Sequence, residues 1–205
     1  MIALIDTTVV TGCDLAMRGM FEARKRVFVD LLGWQVPVLE DRYEIDQFDD
    51  EHARYFIVTD REHGHLASAR LLPTTRPHIL DTLFPALCAG PVPQGADTFE
   101  ITRFCLDRGL SARRRQDARN RLVTGLVQHA LANGIRTYTG VAEPAWLTQI
   151  LRFGWDAAPL GQVLPDLDGQ LGALKINITA ATPSLLIDTG IWSPTLALNA
   201  DAASA

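Results

Sequence analysis

The chain has 205 residues, of which 47% are hydrophobic and 21% charged, and its formal net charge is −5 at pH 7. These proportions suit one folded domain with a sizeable core, and they argue against disorder and against binding of nucleic acid. No basic leader precedes a signal-length apolar segment, and no apolar run reaches bilayer length, so a cytoplasmic protein without membrane attachment is expected. Three cysteines without a Cys-x-x-Cys pair predict reduced thiols and no zinc framework.

Hydrophobic spacing and turn residues divide the chain into alternating helices and strands. In chain order they predict a helix at 14–32, an acidic loop at 35–52, a hairpin of strands 55–59 and 66–72, a proline-containing loop, a strand at 99–104, a helix from Ser111 to about Gly134, a strand at 137–142, a helix at 144–153 and a strand at 172–179. His63 and His65 are assigned to the hairpin turn rather than to a metal site. Residues 1–190 are expected to form one domain and 191–205 a partly disordered tail.

The segment from Phe99 to Phe104 places a carboxylate and a guanidinium inside an apolar, strand-like run. A charge in such a run is costly unless it has a partner or a task, so Glu100 and Arg103 are candidate site residues. Strand alternation would send the two side chains to opposite faces, and a shared task requires a bulge or twist between them. We therefore predict that this segment is an active-site strand.

Other charges upstream also lie in apolar surroundings. Arg24 falls within the hydrophobic stripe of the first helix, where its head either reaches solvent or pairs with a buried anion. The acidic stretch 40–51 is interleaved with apolar residues, and Asp46 and Asp49 are its expected inward pair. Arg70 closes the second hairpin strand.

Six charged residues thus lie on separate predicted elements: Arg24, Asp46, Asp49, Arg70, Glu100 and Arg103. Such a set suits a zwitterionic ligand, because an amino acid offers an ammonium group to carboxylates and a carboxylate to guanidinium groups. The sequence leaves open a second interpretation, which is a buried ion-pair network that binds no ligand.

With these residues in this order, the chain resembles the LuxI-type acyl-homoserine lactone synthases, which make quorum-sensing signals. The resemblance runs from about Leu15 to Leu106 and continues more weakly to about Trp155. It is carried by the segments 69–75 (ARLLPTT) and 99–104 (FEITRF) and by the following residues: Arg24, Phe28, Trp34, Asp46, Asp49, Arg70, Phe84, Glu100 and Arg103.

The resemblance implies a single-domain α/β (α+β) N-acyltransferase-like fold with three layers, in which helices flank a twisted mixed sheet. It implies S-adenosyl-L-methionine as a substrate rather than a permanently bound cofactor, an acyl carrier protein or coenzyme A thioester as acyl donor, and no metal. Glu100, as the base, and Arg103 would be catalytic. The adenosylmethionine pocket would comprise Arg24, Phe28, Trp34, Asp46, Asp49, Arg70 and Phe84. A monomer or weak dimer is expected.

A cluster of arginines surrounds the start of the helix that follows the Glu100 strand: Arg108, Arg113, Arg114, Arg115, Arg119 and Arg121. Cations at a helix N-terminus oppose its dipole, so the cluster indicates an anionic partner. Arg108, Arg113, Arg114 and Arg115 are assigned to the donor's phosphopantetheine arm or carrier. The alternative is a solvated helix face on which the arginines pair with Asp107 and Asp117.

An apolar tunnel is expected to select the acyl chain, with these wall residues: Leu122, Leu126, Thr139, Gly140, Val141, Trp146, Leu147, Ile150 and Leu151. Family members that accept 3-oxo chains often carry threonine on the strand near 140. This chain offers Gly140 and Ala142 there, and Thr139 has the opposite strand parity, which favours an unsubstituted or 3-hydroxy chain. Two other functions stay open, namely a different N-acyltransferase and a binding module without turnover.

Overall fold

The computed structural model describes residues 2–6, 14–60, 64–166, 169–193 and 198–199. The helices in this part of the chain are α1 (Asp14–Arg24), α2 (Ile79–Thr82), α3 (Ala112–Ala132), α4 (Pro144–Leu151) and α5 (Thr182–Asp188), with a π-helix at Lys25–Leu31 and a 3₁₀ helix at Pro85–Leu87. The strands are β1 (Ile2–Asp6), β2 (Val38–Leu39), β3 (Tyr43–Glu44), β4 (Arg54–Thr59), β5 (His65–Pro73), β6 (Thr98–Leu106), β7 (Thr137–Ala142), β8 (Asp156–Pro159), β9 (Leu164–Asp166), β10 (Gly169–Asn177) and β11 (Leu198–Asn199).

A large mixed sheet has the strand order β11-β1-β4-β5-β6-β7-β10-β8, and β9 pairs with β10 beside this path. The pairs β6–β7 and β1–β11 are parallel, whereas β1–β4, β4–β5, β7–β10 and β8–β10 are antiparallel. Helices flank the sheet, as the predicted fold class requires. Among the described helices, none combines the length and apolar character needed to cross a bilayer.

Contacts group the chain into two compact units, and β5 and β6 run through both. The first comprises Met1–Leu71, Arg103–Gly125 and Ser193–Ala205. In it, α1 and the π-helix bury Met20, Ala23 and Phe28, and the antiparallel pair β4–β5 buries nearly every side chain of both strands. The small hairpin β2–β3 also belongs to this unit.

The second unit comprises Leu72–Thr102 and Leu126–Trp192. Strand β7 lies between β6 and β10 and has a helical layer on each face. The Tyr138 hydroxyl donates to the carbonyl oxygen of Leu126 in α3 (2.9 Å), so α3 covers the Tyr138 face. On the opposite face, Val141 packs against Leu80 of α2 and against Ala173.

Most long predicted elements are confirmed, including the first helix, the hairpin, the Glu100 strand, the arginine-headed helix and the strand at 137–142. Several shorter elements were missed because too few residues carry each pattern: β2, β3, α2, the 3₁₀ helix, β8, β9 and α5. His65 was wrongly assigned to a turn, since it begins β5 and is buried. His63 and Cys13 lie outside the described residues, as does most of the predicted tail.

Candidate active site

Arg24 anchors a network of charged side chains in the first unit. It lies in the last turn of α1 and only 1% of it is exposed. Its two terminal nitrogens donate to the two carboxylate oxygens of Asp49 (both 2.8 Å), and its Nε donates to Glu44. This geometry is the bidentate one that a planar guanidinium favours, and it decides between the two sequence-based interpretations of Arg24 in favour of a buried pair.

Asp46 and Asp49 face inward as predicted, from the loop that follows β3. Arg70 of β5 donates to both oxygens of Asp46 (2.7 and 3.0 Å) and lies 2.7 Å from Asp49. The backbone N–H of Asp46 and the hydroxyl of Tyr55 also donate to Asp49 (2.9 and 2.7 Å), and the backbone N–H of Phe48 donates to Asp46. Together with Arg24, these donors fix the carboxylates of Asp46 and Asp49 in place.

Glu44 completes the network, and the sequence analysis did not single it out. It is fully buried at the end of β3 and accepts hydrogen bonds from Arg24 and from Nε and Nη2 of Arg103 (3.0–3.2 Å). Nη2 of Arg103 also donates to Asp46 (2.7 Å). The sequence offers little signal for this residue, because β3 has only two residues and is too short to show a strand alternation.

The network joins three guanidinium groups to three carboxylates, so its formal charges cancel. Burial alone would raise the pKa of Asp49, but the hydrogen bonds from Arg24 and the charges of Arg70 and Arg24 hold that pKa well below its usual range. The pKa of Asp46 is lowered in the same way, mainly by Arg70 and Arg103 against the effect of burial. Both acids are ionised at neutral pH, and the arrangement is a preformed set of fixed charges.

Arg103 adopts a left-handed backbone conformation, with φ of 50°. The burial alternation along β6 is regular from Thr98 to Arg103 and breaks between Arg103 and Phe104, so the backbone irregularity lies at Arg103 itself. Its guanidinium lies over the rings of Phe28 (5.6 Å) and Trp34 (5.8 Å), which stack on each other at 4.8 Å. With 10% of its side chain exposed, Arg103 is the most accessible arginine of the network.

Glu100 lies in the second unit and is fully buried. Its two carboxylate oxygens accept hydrogen bonds from the backbone N–H groups of Ile79 (2.8 Å) and Leu80 (3.0 Å) at the start of α2. In the parallel register, Glu100 is aligned with Thr139 of β7. These contacts stabilise the carboxylate and fix its direction, while a carboxylate has about four acceptor positions in all.

Phe84 lies in an apolar cluster of the second unit that includes Leu80, Leu87 and Ala173. The predicted wall residues of this unit fall on both faces of β7. Gly140 shares the Tyr138 face with Leu126, whereas Thr139 and Val141 point to the α2 face. Leu147 packs close to Gly172, which is the register partner of Ala142, and therefore lies on the Gly140 face.

Arg113 and Arg114 at the start of α3 are exposed, and so is Arg108. The predicted cap is present, because the backbone N–H of Arg114 reaches Ser111 Oγ, although at 3.4 Å. Arg121 pairs with Asp117 one turn away (2.8 Å), which agrees with the solvated-face interpretation for this arginine.

Arg115 is half-buried and donates from Nη2 to the carbonyl oxygen of Leu110 (2.9 Å).

Cys105 is buried against Phe28 and Ala23, and burial raises the pKa of its thiol to about 12. Burial also raises the pKa of the Cys88 thiol. Neither thiol is therefore activated as a nucleophile. Among the residues that the structure describes, no three histidine, cysteine or acidic side chains are grouped so as to hold a metal.

A family model described as autoinducer synthase matches residues 11–182. The chain is 36% identical over 164 residues to an acyl-homoserine-lactone synthase of Rhizobium etli, covering 78% of this chain and 76% of the relative. It is similar to the structure of the CoA-dependent acyl-homoserine lactone synthase MesI, with a TM-score of 0.83, 29% identity and coverage of 96% and 99%. The structure of the CoA-dependent synthase BjaI with SAM and isopentyl-CoA gives a TM-score of 0.80 at 25% identity, covering 95% and 90%.

Similarity to a solved structure of lower sequence identity concerns the fold alone. An acyl-CoA N-acyltransferase structure from Pseudomonas aeruginosa matches with a TM-score of 0.58 at 16% identity, covering 85% of this chain and 98% of the other. The N-acyltransferase-like fold expected from the sequence is thereby confirmed.

Proposed function

Because the chain belongs to the autoinducer synthase family, we propose that it makes an N-acyl-L-homoserine lactone from S-adenosyl-L-methionine and an acyl thioester. The observation that carries this proposal is the buried, charge-balanced network that three arginines form with three carboxylates, namely Arg24, Arg70 and Arg103 with Glu44, Asp46 and Asp49. The sequence resemblance assigns four of these residues to the adenosylmethionine pocket and Arg103 to catalysis; the four are Arg24, Asp46, Asp49 and Arg70. Preformed charges favour a zwitterionic substrate, because they need little reorganisation when it binds.

Within this network, Arg24 and Arg70 orient the carboxylates, and Arg103 contacts the substrate. Arg103 uses Nε and Nη2 for Glu44 and Asp46, which leaves Nη1 as the nitrogen to bind the substrate carboxylate. The stacked rings of Phe28 and Trp34 supply an apolar wall beside it. Loss of Arg103 should therefore weaken adenosylmethionine binding directly.

In the acylation step, Glu100 receives a proton from the substrate amino group while the amine nitrogen attacks the thioester carbonyl carbon. The C–N bond forms and the C–S bond breaks. Of the two protons that the substrate ammonium loses on becoming an amide, one leaves on the thiol and the other passes to solvent. Two backbone hydrogen bonds orient the Glu100 carboxylate, the group proposed as the general base. Direct attack needs no acyl-enzyme, which agrees with the unactivated thiols of Cys88 and Cys105.

In the second step, the carboxylate of the acylated intermediate attacks its own γ carbon. The C–S bond to the sulfonium breaks, the lactone ring closes, and methylthioadenosine leaves as a neutral thioether. The sulfonium is already a good leaving group, so the contribution of the protein is to hold the chain in a folded conformation.

The acyl chain is proposed to lie along the α2 face of β7, beside Thr139 and Val141, because Thr139 is the register partner of Glu100. Gly140 lies on the other face of β7 and would not contact an acyl chain in this position. The preference for an unsubstituted or 3-hydroxy chain stays a prediction, which the assay below tests.

The donor is an acyl thioester, and coenzyme A is proposed as its carrier. The CoA-dependent relatives MesI and BjaI support this choice, and the exposed Arg113 and Arg114 at the start of α3 can contact phosphate groups. An acyl carrier protein would use the same arginines, so both donors should be compared in one assay.

The test is an assay of purified protein with S-adenosyl-L-methionine and acyl-CoA thioesters of several lengths and C3 substituents. Thiol, methylthioadenosine and lactone should appear in equal amounts, and only when both substrates are present. Thiol release without methylthioadenosine would instead identify a different N-acyltransferase, and binding without either product would identify a binding module.

The residue-level test replaces Glu100 by glutamine. The expected result is a fall in kcat of about 10²-fold or more with a nearly unchanged KM for adenosylmethionine, as is typical for loss of a general base. Glu51→Gln, at a side chain that is 80% exposed, is the matched control. Turnover by Glu100→Gln at the rate of this control would refute the assignment of the base.

A further inference from the structure

His78 is a fully buried histidine that immediately precedes α2. Its backbone N–H donates to Oδ1 of Asp81 (2.9 Å), which closes the start of the helix. The next two residues, Ile79 and Leu80, are the ones whose backbone N–H groups bind the two oxygens of Glu100. His78 is thus joined directly to the segment that orients the proposed base.

The surroundings of the imidazole fix its tautomer. Nδ1 lies 2.9 Å from the carbonyl oxygen of Arg76 and 3.4 Å from Oδ1 of Asp81. The carbonyl oxygen can only accept, so a neutral ring that makes the shorter of these contacts carries its proton on Nδ1 and a lone pair on Nε2.

Nε2 of His78 is buried and has no hydrogen-bond partner within the described part of the chain. A buried acceptor without a donor is unfavourable, and such atoms in folded proteins commonly serve a ligand or a catalytic step. The hydroxyl of Thr139, the register partner of Glu100, is likewise buried and without a partner among the described residues. Two unpaired polar atoms therefore belong to residues linked to Glu100: His78 precedes the two residues whose N–H groups bind its carboxylate, and Thr139 is its register partner.

We propose that His78 is a second proton acceptor in the acylation step, and that its Nε2 accepts a hydrogen bond from the substrate amino group. This inference rests on the proposed function. The substrate ammonium has three N–H bonds and the product amide has one, so two protons must leave as the C–N bond forms. Glu100 takes one and Nε2 of His78 takes the other; when the C–S bond breaks, the thiolate receives one of them and the second passes to solvent.

Two substitutions separate the roles of the two ring nitrogens. His78→Asn keeps a donor near the position of Nδ1, which can still reach the Arg76 carbonyl, but it removes Nε2. Its expected effect is a fall in kcat for thiol release of at least tenfold, with the KM for adenosylmethionine within twofold of wild type and an unchanged melting temperature. His129→Asn, at another buried histidine of the same unit, is the control and should retain wild-type kcat.

A purely structural role predicts the opposite pattern. His78→Asn would then turn over like wild type, while His78→Gln, which loses the donor near Nδ1, would melt earlier. Wild-type kcat in a folded His78→Asn variant therefore overturns the inference.

A second measurement on the wild-type protein covers the case in which His78→Asn fails to fold. The ¹⁵N chemical shift of His78 Nε2 should change when S-adenosyl-L-methionine is added, as a lone pair becomes hydrogen-bonded, and an unchanged shift in the saturated complex overturns the inference. If wild-type protein releases neither thiol nor methylthioadenosine, the proposed function itself fails. If it releases both and His78→Asn equals it, only the role of His78 fails.

Discussion

Replacing Glu44 by glutamine should strongly destabilise the protein, although the residue lies in a two-residue strand. Glu44 is fully buried and accepts hydrogen bonds from both Arg24 and Arg103. The substitution removes one of three negative charges that balance three guanidinium groups, and it leaves an uncompensated positive charge inside the first unit. Breaking a buried ion pair on one side costs about 3–5 kcal/mol.

Glutamine keeps one carbonyl oxygen that can accept from one of the two arginines, so the lower end of that range is expected, about 3 kcal/mol. For a chain of this size each kcal/mol lowers the melting temperature by about 2–4 °C, which gives a decrease of about 6–12 °C. Urea unfolding should report the same loss through a lower midpoint with an unchanged m-value.

Glu40→Gln provides the matched control, because Glu40 is exposed in the turn of the same hairpin. Its free energy of unfolding should stay within about 0.5 kcal/mol of wild type. If Glu44→Gln were as stable as Glu40→Gln, the network would not depend on charge balance, and the reasoning about its preformed geometry would be refuted.

Four other predictions concern single residues. Burial lowers the pKa of His65 from 6.5 to about 4, so between these pH values the unfolded chain binds a proton that the folded chain does not bind. Urea unfolding should therefore show the free energy of unfolding falling by about 3 kcal/mol as the pH decreases through this window. A His65→Gln variant should lack this pH dependence. Asp41→Gly should raise the melting temperature by a few degrees, because Asp41 has φ of 53° and glycine adopts that conformation without strain; an unchanged or lower value would contradict this. Arg103→Lys should raise the KM for adenosylmethionine about tenfold or more in the methylthioadenosine assay, since an ammonium cannot bridge two carboxylates and bind a third group; a wild-type KM would argue against direct contact. Cys88→Ala should keep kcat within twofold of wild type, and a large loss would indicate a thiol step.

The elements that were predicted correctly are those whose signal lies within a few residues. Helix α3 has a serine cap, a long apolar repeat and a glycine after its end, and β6 combines apolar residues with two costly charges. The missed elements, such as α2 with four residues and β3 with two, are too short to show a period. The turn before β3 also lacks the glycine that usually marks such a turn. Its two residues with positive φ are Glu40 and Asp41.

The residues of the candidate site likewise fall into those that the sequence identified and those that it did not. Four site residues were found because each places a charge inside an apolar run, and such a charge needs a compensating partner wherever that partner lies in the sequence. They are Arg24, Arg70, Glu100 and Arg103. The partners themselves were only partly found. Asp46 and Asp49 were identified as inward-facing, whereas Glu44 was left among the other acidic residues of its loop.

The sequence by itself determined which charges must be buried, which segments are long helices and strands, and which family the chain resembles. These properties depend on local spacing and on the high free energy of an uncompensated charge in an apolar segment. Only the tertiary structure decided the pairing, because Arg24 meets Glu44 across 20 positions of sequence and Arg103 meets it across 59. It also decided which helix covers which face of β7, since α3 lies over the face of Tyr138 and Gly140 and α2 lies over the face of Val141.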